Sequence, residues 1–226
     1  MGVVNYTIPE PTMDWPTVGE TFIKEYRNVV SEEICREAYA LFMDSPNKFE
    51  GMTGTNYATG SVNKGSKSSL DLDVCSEVAK DPRWIKIATA FKEAIGKTGP
   101  LYVQHVVPLY YVCADSGLEN TGFQIQYYLN NGQDGFKPHV DRNSIGSSNR
   151  ELAVIIYLND VEEGGETCFP IQNAKVKPEM GKVVWFPAGF THPHEGKTPI
   201  SNPKLIVTTF MVYSEDVSGP NEANNG

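Results

Sequence analysis

The sequence predicts a mainly β chain with supporting helices (α+β), its strands arranged as a sandwich or jelly roll. Three observations carry this expectation. From about residue 101, short runs rich in Val, Ile, Tyr, Phe and Thr recur at 101–112, 123–129, 151–158, 166–169, 182–187 and 204–213, separated by turn residues. Before that point two segments show helical periodicity instead. Finally, 226 residues that are 40% hydrophobic suit one domain, because sandwiches and barrels of this size commonly stay undivided. The expected organisation is a single domain over 1–213, with helical support at about 20–100 and the β core at about 101–213. The polar stretch 214–226 has the composition of a disordered tail.

The first helix starts at Ser31, an N-cap residue followed by Glu32 and Glu33 in the favourable first turn. Ile34, Ala38, Leu41 and Phe42 then fall on one apolar stripe. The second starts at Asp81 and Pro82, runs through Trp84, Ile87, Ala88, Phe91 and Ile95, and is expected to stop at Gly96. Between them, residues 51–69 are rich in Gly, Ser, Thr, Asn and Lys, which reads as a functional loop able to act as a lid. Further along, Gly164-Gly165 and residues 178–181 supply turns.

Composition narrows the function classes. The chain has no run of 18 apolar residues, and its start, MGVVNYTIPEPTMDWP, has neither the basic nor the apolar stretch of a secretory signal. A cytoplasmic protein with no membrane partner is expected. A net charge of −9 and a pI near 5.0 disfavour nucleic acid, whose phosphates are bound by clustered Lys and Arg. The four cysteines, Cys35, Cys75, Cys113 and Cys168, form no Cys-x-x-Cys pair and read as reduced thiols, with Cys168 a small apolar strand residue.

The chemistry concentrates in the few histidines. His139 and Asp141 are two residues apart, so in an extended segment both side chains reach the same face and can converge on one ion. Some fifty residues later THPHEG follows the apolar strand KVVWFP and precedes the strand KLIVTTFMVY, a placement that can supply a third ligand, either His192 or His194. Two histidines and one carboxylate, with coordination positions left open, form the facial triad of non-haem Fe(II) oxygenases. His105 lies in an apolar run and reads as a core residue.

Four segments in order, QIQYYLNNGQDGFKPHVD, NRELAVIIYLNDVEEGGETCFP, GKVVWFP and HEGKTPISNPK, resemble the prolyl 4-hydroxylase family of 2-oxoglutarate and Fe(II)-dependent oxygenases, over roughly residues 123–213. The resemblance implies a double-stranded β-helix with iron at one open end and 2-oxoglutarate beside it. Iron would be held by His139, Asp141 and His194, because Lys204 follows His194 by ten residues as in the family; His192 then supports or packs. It further implies that Lys204 pairs with the distal carboxylate of 2-oxoglutarate, that Thr208 adds a hydrogen bond, and that Tyr128 and Tyr157 line the co-substrate pocket. The stretch from Tyr127 to His139 is one residue longer than in the family, which leaves Tyr127 as an alternative to Tyr128. Arg150 matches a family arginine near the peptide groove.

The implied reaction consumes Fe(II)-bound 2-oxoglutarate and O2, releases succinate and hydroxylates a C–H bond, with ascorbate a candidate accessory. A carboxylate at Asp141 favours hydroxylation over halogenation, which needs a small residue there. Peptidyl proline oxidised at C4 is the first substrate expectation, and a free amino acid or small metabolite the second. Demethylation of nucleic acid is disfavoured by Lys204, where repair demethylases generally use arginine. A metal-free β-sandwich binding module is the reading from another class, and retention of all three ligands with Lys204 argues against it. Arg142 and Asn143, where the family often has aromatics, and Leu205 and Phe210, where tryptophans are common, depart from the pattern on the substrate side.

Overall fold

In the computed structural model, which describes residues 20–53, 61–106, 109 and 117–213, two antiparallel sheets lie on one another and helices cover the outer face of the larger. That sheet contains β1 (Lys24–Tyr26), β2 (Phe49–Glu50), β4 (Leu70–Asp73), β5 (Leu118–Asn120), β6 (Gln124–Tyr128), β8 (Arg150–Tyr157), β11 (Val183–Pro187) and β13 (Lys204–Tyr213). Its strand order is β1-β11-β8-β13-β6-β4-β2, with β5 also on β13. The smaller sheet contains β3 (Lys67–Ser68), β7 (Gly135–His139), β9 (Thr167–Phe169), β10 (Ala174–Val176) and β12 (His194–Gly196), in the order β10-β9-β12-β7-β3. The helices are α1 (Glu32–Asp44), α2 (Val74–Val78) and α3 (Arg83–His105). This is the mainly β jelly roll with few helices that the strand pattern predicts.

The larger sheet is buried on both faces, and the period of two along its strands sorts its side chains. Leu152, Val154 and Ile156 of β8, Val183 and Trp185 of β11, and Leu205, Val207 and Met211 of β13 pack with Phe42, Trp84, Ile87 and Phe91 of the helices. Their alternates, Ala153, Ile155, Tyr157, Val184, Phe186 and Ile206, form a second cluster with Phe169 and Val176 of the smaller sheet. The site lies in this second layer. Nearly continuous apolar runs such as KVVWFP and KLIVTTFMVY are what strands covered on both sides require.

Helix α1 forms as expected: the Ser31 hydroxyl caps the Ile34 amide, and Ala38, Leu41 and Phe42 are buried. Helix α3 does not stop at Gly96. It continues to His105 through Pro100, which lacks the amide to bond the preceding turn. Packing outweighs that local cost. Tyr102 stacks on Trp185 with ring centroids 5.5 Å apart and donates its hydroxyl to the Phe22 carbonyl at 2.8 Å. The Trp185 indole in turn donates to the Thr98 hydroxyl at 2.8 Å, and Thr98 donates to the Ala94 carbonyl.

Residues 101–105 are therefore helix and not strand, so the β core begins later than about 101. His105 is correspondingly exposed on α3, stacked on Tyr26, and is not a core residue. Within 51–69, Lys67–Ser68 is strand β3 paired with β7, and Thr53 bridges Ser61; residues 54–60 of the expected lid, Cys113 and the 214–226 tail lie outside the described residues. Cys168 is buried in β9 without a disulfide. Among the described residues no helix is long and apolar enough to cross a membrane.

The Thr98 to Trp185 bond gives a direct test of what holds the unexpected half of α3. Thr98→Val keeps the shape but strips the indole N–H of its acceptor, and a buried donor left unpaired costs about 1–3 kcal/mol. The urea midpoint should fall accordingly with an unchanged slope. A midpoint equal to wild type would show that the helix end is held by packing alone.

Candidate metal and co-substrate site

Strands β7 and β12 pair so that His139 and His194 are directly opposite in register, which brings the two imidazoles to 4.3 Å between centroids. Asp141 lies two residues beyond the end of β7 and turns its carboxylate between them. One oxygen is 3.6 Å from His139 Nε2 and the other 3.6 Å from His194 Nε2. All three donor atoms lie within 4.8 Å of one another.

The ring orientations are fixed by the backbone. His139 Nδ1 is 2.8 Å from the Lys137 carbonyl and His194 Nδ1 is 3.1 Å from the His192 carbonyl. A carbonyl can only accept, so each Nδ1 carries the proton and each Nε2 lone pair is presented to the centre. Around His194, Phe186 and Phe169 sit at 4.8 and 5.6 Å. On the other side Phe136 stacks on His139 with centroids 3.5 Å apart and planes 13° from parallel.

Electrostatics suit a divalent cation. Burial works to raise the Asp141 pKa, but the neighbouring His194 and His139, with Arg150, outweigh it and hold the carboxyl below its ordinary value. Burial lowers the pKa of His194, with Asp141 opposing. A neutral imidazole beside an ionised carboxylate is the donor state a metal needs, so the residues present fit Fe(II).

His192 is placed elsewhere. Its ring is buried, with Nε2 2.8 Å from the Thr21 carbonyl and Nδ1 2.9 Å from the Thr191 hydroxyl. It touches the centre only through the carbonyl that orients His194.

Lys204 opens β13 opposite Tyr128. Its buried ammonium lies 4.8 Å from the Tyr128 ring centroid and donates to the carbonyls of Gly165 at 2.8 Å and Lys197 at 3.3 Å. Gly164 and Gly165 both take left-handed backbone, φ +76° and +75°, and a Cβ on Gly164 would sit 2.6 Å from the Thr198 carbonyl. The double glycine thus lets the Gly165 carbonyl reach the lysine. Burial pushes the Lys204 pKa down to about 8, which marks an ammonium short of negative charge.

A cavity of about 200 Å³ joins the triad to Lys204, with Tyr128, Thr167 and Thr208 in its walls and Arg150 and Phe210 nearer Asp141. Of the alternatives Tyr127 and Tyr128, only Tyr128 faces it; Tyr127 packs on Phe42 in the helix layer. The Tyr128 hydroxyl donates to Gln126, whose amide donates to the Thr208 hydroxyl at 3.2 Å. Tyr157 does not line the cavity. It is wholly buried behind the wall, because its ring faces Val176 and Phe169, and it reaches the site only through a 2.7 Å bond to the Thr167 hydroxyl. Arg150 donates to the Asp141 carbonyl at 3.1 Å and stacks on Phe210 at 3.8 Å.

Sequence reasoning missed one group on the cavity wall. Lys67 is buried with its ammonium 2.6 Å from Asp71, which also accepts from Ser69 and Gln124 at 2.7 Å each, and it lies over Phe136 at 5.6 Å. The alternation Lys67, Ser69, Asp71 is a strand signal hidden within a stretch of loop composition.

Residues 123–212 match the model of the 2OG-Fe(II) oxygenase superfamily. That stretch, which holds His139, Asp141, His194 and Lys204, is matched as a 2OG-Fe(II) oxygenase domain. No curated protein matches it in sequence. Among solved structures, the fold is shared with a viral collagen prolyl hydroxylase from Paramecium Bursaria Chlorella virus-1 in complex with 2OG (16% identity, 84% of this chain and 95% of that one, TM-score 0.57). It is shared too with a prolyl hydroxylase from Trichoplax adhaerens in complex with a hypoxia inducible factor peptide fragment (19%, 85% and 84%, TM-score 0.59). A third is a Pseudomonas putida prolyl-4-hydroxylase (15%, 86% and 94%, TM-score 0.57). The cofactors of this oxygenase are accordingly Fe(II), 2-oxoglutarate and O2.

Three outcomes follow from the geometry. His194→Ala should abolish Fe(II) binding and turnover, whereas His192→Ala, which keeps the orienting carbonyl, should leave most of the metal in place; equilibrium dialysis with Fe(II) under anaerobic conditions distinguishes them, and equal losses would refute the assignment. Lys204→Ala should raise the 2-oxoglutarate KM on the order of 10²-fold or more with iron retained, because an unpaired buried carboxylate costs about 3–5 kcal/mol. In the wild type, the ligand must find Lys204 protonated, so 2-oxoglutarate affinity should be flat below pH about 8 and fall about tenfold per unit above it. Affinity unchanged up to pH 10 would show that Lys204 is not the partner.

Proposed function

We propose that this oxygenase hydroxylates a peptidyl proline at ring carbon 4. The observation that carries the reading is the fold shared over more than four fifths of the chain with three prolyl hydroxylases, one of them in complex with a peptide. The walls of the cavity agree with it. Phe136 and Phe210 give apolar ring surface beside the triad, and Arg150 between Asp141 and Phe210 can donate to a peptide carbonyl. A proline-rich chain suits such a site because it is already extended and loses little entropy on binding.

The roles follow. His139, Asp141 and His194 hold Fe(II) and leave positions open. Fe(II) with 2-oxoglutarate and O2 supplies the oxidising power, succinate and CO2 being released as one oxygen atom enters the substrate. Lys204 pairs with the distal carboxylate of 2-oxoglutarate in exchange for the Gly165 and Lys197 carbonyls, Tyr128 covers that carboxylate with its ring and hydroxyl, and Thr208 and Thr167 offer hydroxyls along the wall.

A second reading, hydroxylation of a free amino acid, is favoured by one observation. Arg150 and Lys67 place two cations on the cavity wall that a free carboxylate can approach, Arg150 foremost, since Lys67 keeps Asp71 as its counter-ion.

Free L-proline and short proline-rich peptides, compared by hydroxyproline formation and succinate release, separate the two. Hydroxyproline in peptides with little turnover of free proline is the expected result. Efficient oxidation of free proline and of no peptide would overturn the peptide reading while leaving the iron and 2-oxoglutarate assignments intact.

A further inference from the structure

Among the described residues, the three most exposed large hydrophobic side chains are Ile145 (94%), Phe190 (82%) and Ile171 (67%), ahead of Ile200 at 58%. They are distant in sequence, yet all three sit on loops at the iron-bearing end of the two sheets. Ile145 lies in a 3-10 turn, residues 145–147, between the ligand Asp141 and Arg150. Phe190 follows β11, whose end at Pro187 pairs with Leu152 at the start of β8, and it precedes His194 by four residues. Ile171 is in the turn after Phe169, whose ring packs against His194.

The three loops are tied together. The Arg142 amide donates to the Ala188 carbonyl at 2.9 Å, the Arg142 guanidinium lies against Gly189, and the Gln172 side chain donates to the Thr191 carbonyl at 2.7 Å. Asn143, from the first loop, lines the cavity itself. A held set of apolar side chains beside the loop whose Asn143 enters the cavity is unlike an ordinary surface, where single exposed hydrophobics are scattered.

We propose that this rim, built on Ile145, Ile171 and Phe190, is a docking surface for the polypeptide flanking the target residue, and that it selects substrates carrying apolar side chains several residues from the hydroxylated proline. The inference rests on the peptidyl-proline reading and deepens it. Continuity with the cavity mouth sets the occupant: a permanent partner or second copy of this chain seated there would close the route by which substrate reaches iron, whereas a substrate chain covers it only during turnover. Anchors on three separate loops also suit an extended chain crossing the mouth better than a flat protein face.

The test uses two synthetic peptides with the same central proline, one carrying leucines and the other serines several residues to either side, against the wild type and the Ile145→Ser/Ile171→Ser/Phe190→Ser variant. Wild type should show a KM lower by about tenfold for the leucine peptide, the scale of burying one or two such side chains, and the variant should lose the difference while peptide-free succinate release stays unchanged. Hydroxylation of both peptides with equal KM, or a preference that survives in the variant, overturns the docking surface but leaves the function intact. No hydroxylation of either peptide overturns the function and the rim with it. A wild type that sediments as a dimer and a variant that sediments as a monomer would assign the rim to self-association instead.

Discussion

The architecture depends on a single constraint, that the larger sheet is covered on both faces. Along β13 this forces a choice at every residue: Leu205, Val207 and Met211 serve the helix layer, while Lys204, Thr208 and Phe210 are left for the cavity. A slip of one residue would put the lysine among Phe42 and Leu72 and the leucine over the cavity. Few registers are so strongly enforced. The chemistry inherits its precision from this apolar sorting.

The second organising feature is a charge kept out of water. Lys204 in the described structure is satisfied by two backbone carbonyls and one aromatic ring, none of them anionic. Such an arrangement holds an ammonium without neutralising it, at a cost that appears in its lowered pKa. In the role proposed for Lys204, a dicarboxylate that brings the missing charge would recover that cost, and part of its affinity would come from the way the fold holds the ammonium. The same logic does not apply to Lys67, whose charge Asp71 already balances.

How much of this was legible in the sequence depended on whether the signal was local. The strands 204–213 and 182–187, the cap at Ser31 and the His139, Asp141 pair could be read because period, cap and spacing are written in adjacent residues. The exit of α3 could not, since Gly96 and Pro100 argue locally for a stop while the deciding partners, Trp185 and Phe22, are some eighty residues away. Tyr157 behind its wall and Lys67 on the cavity share that cause. The choice between Tyr127 and Tyr128 was open for a simpler reason: an added residue in a turn shifts spacing without shifting strand register, and register alone decides which ring faces Lys204.

The bond from His192 to the Thr21 carbonyl spans 171 residues, and β1 lies against β11 in the same seam. Contacts of such separation form late, because the intervening chain must close a long loop before they are rewarded. The stretch that orients His194 is therefore finished only when the beginning of the described chain returns to a region synthesised long after it. On a ribosome the triad would be late to mature: His139 and Asp141 emerge first and wait for His194, 53 residues behind Asp141, and a strand made long before must then return to the seam beside it.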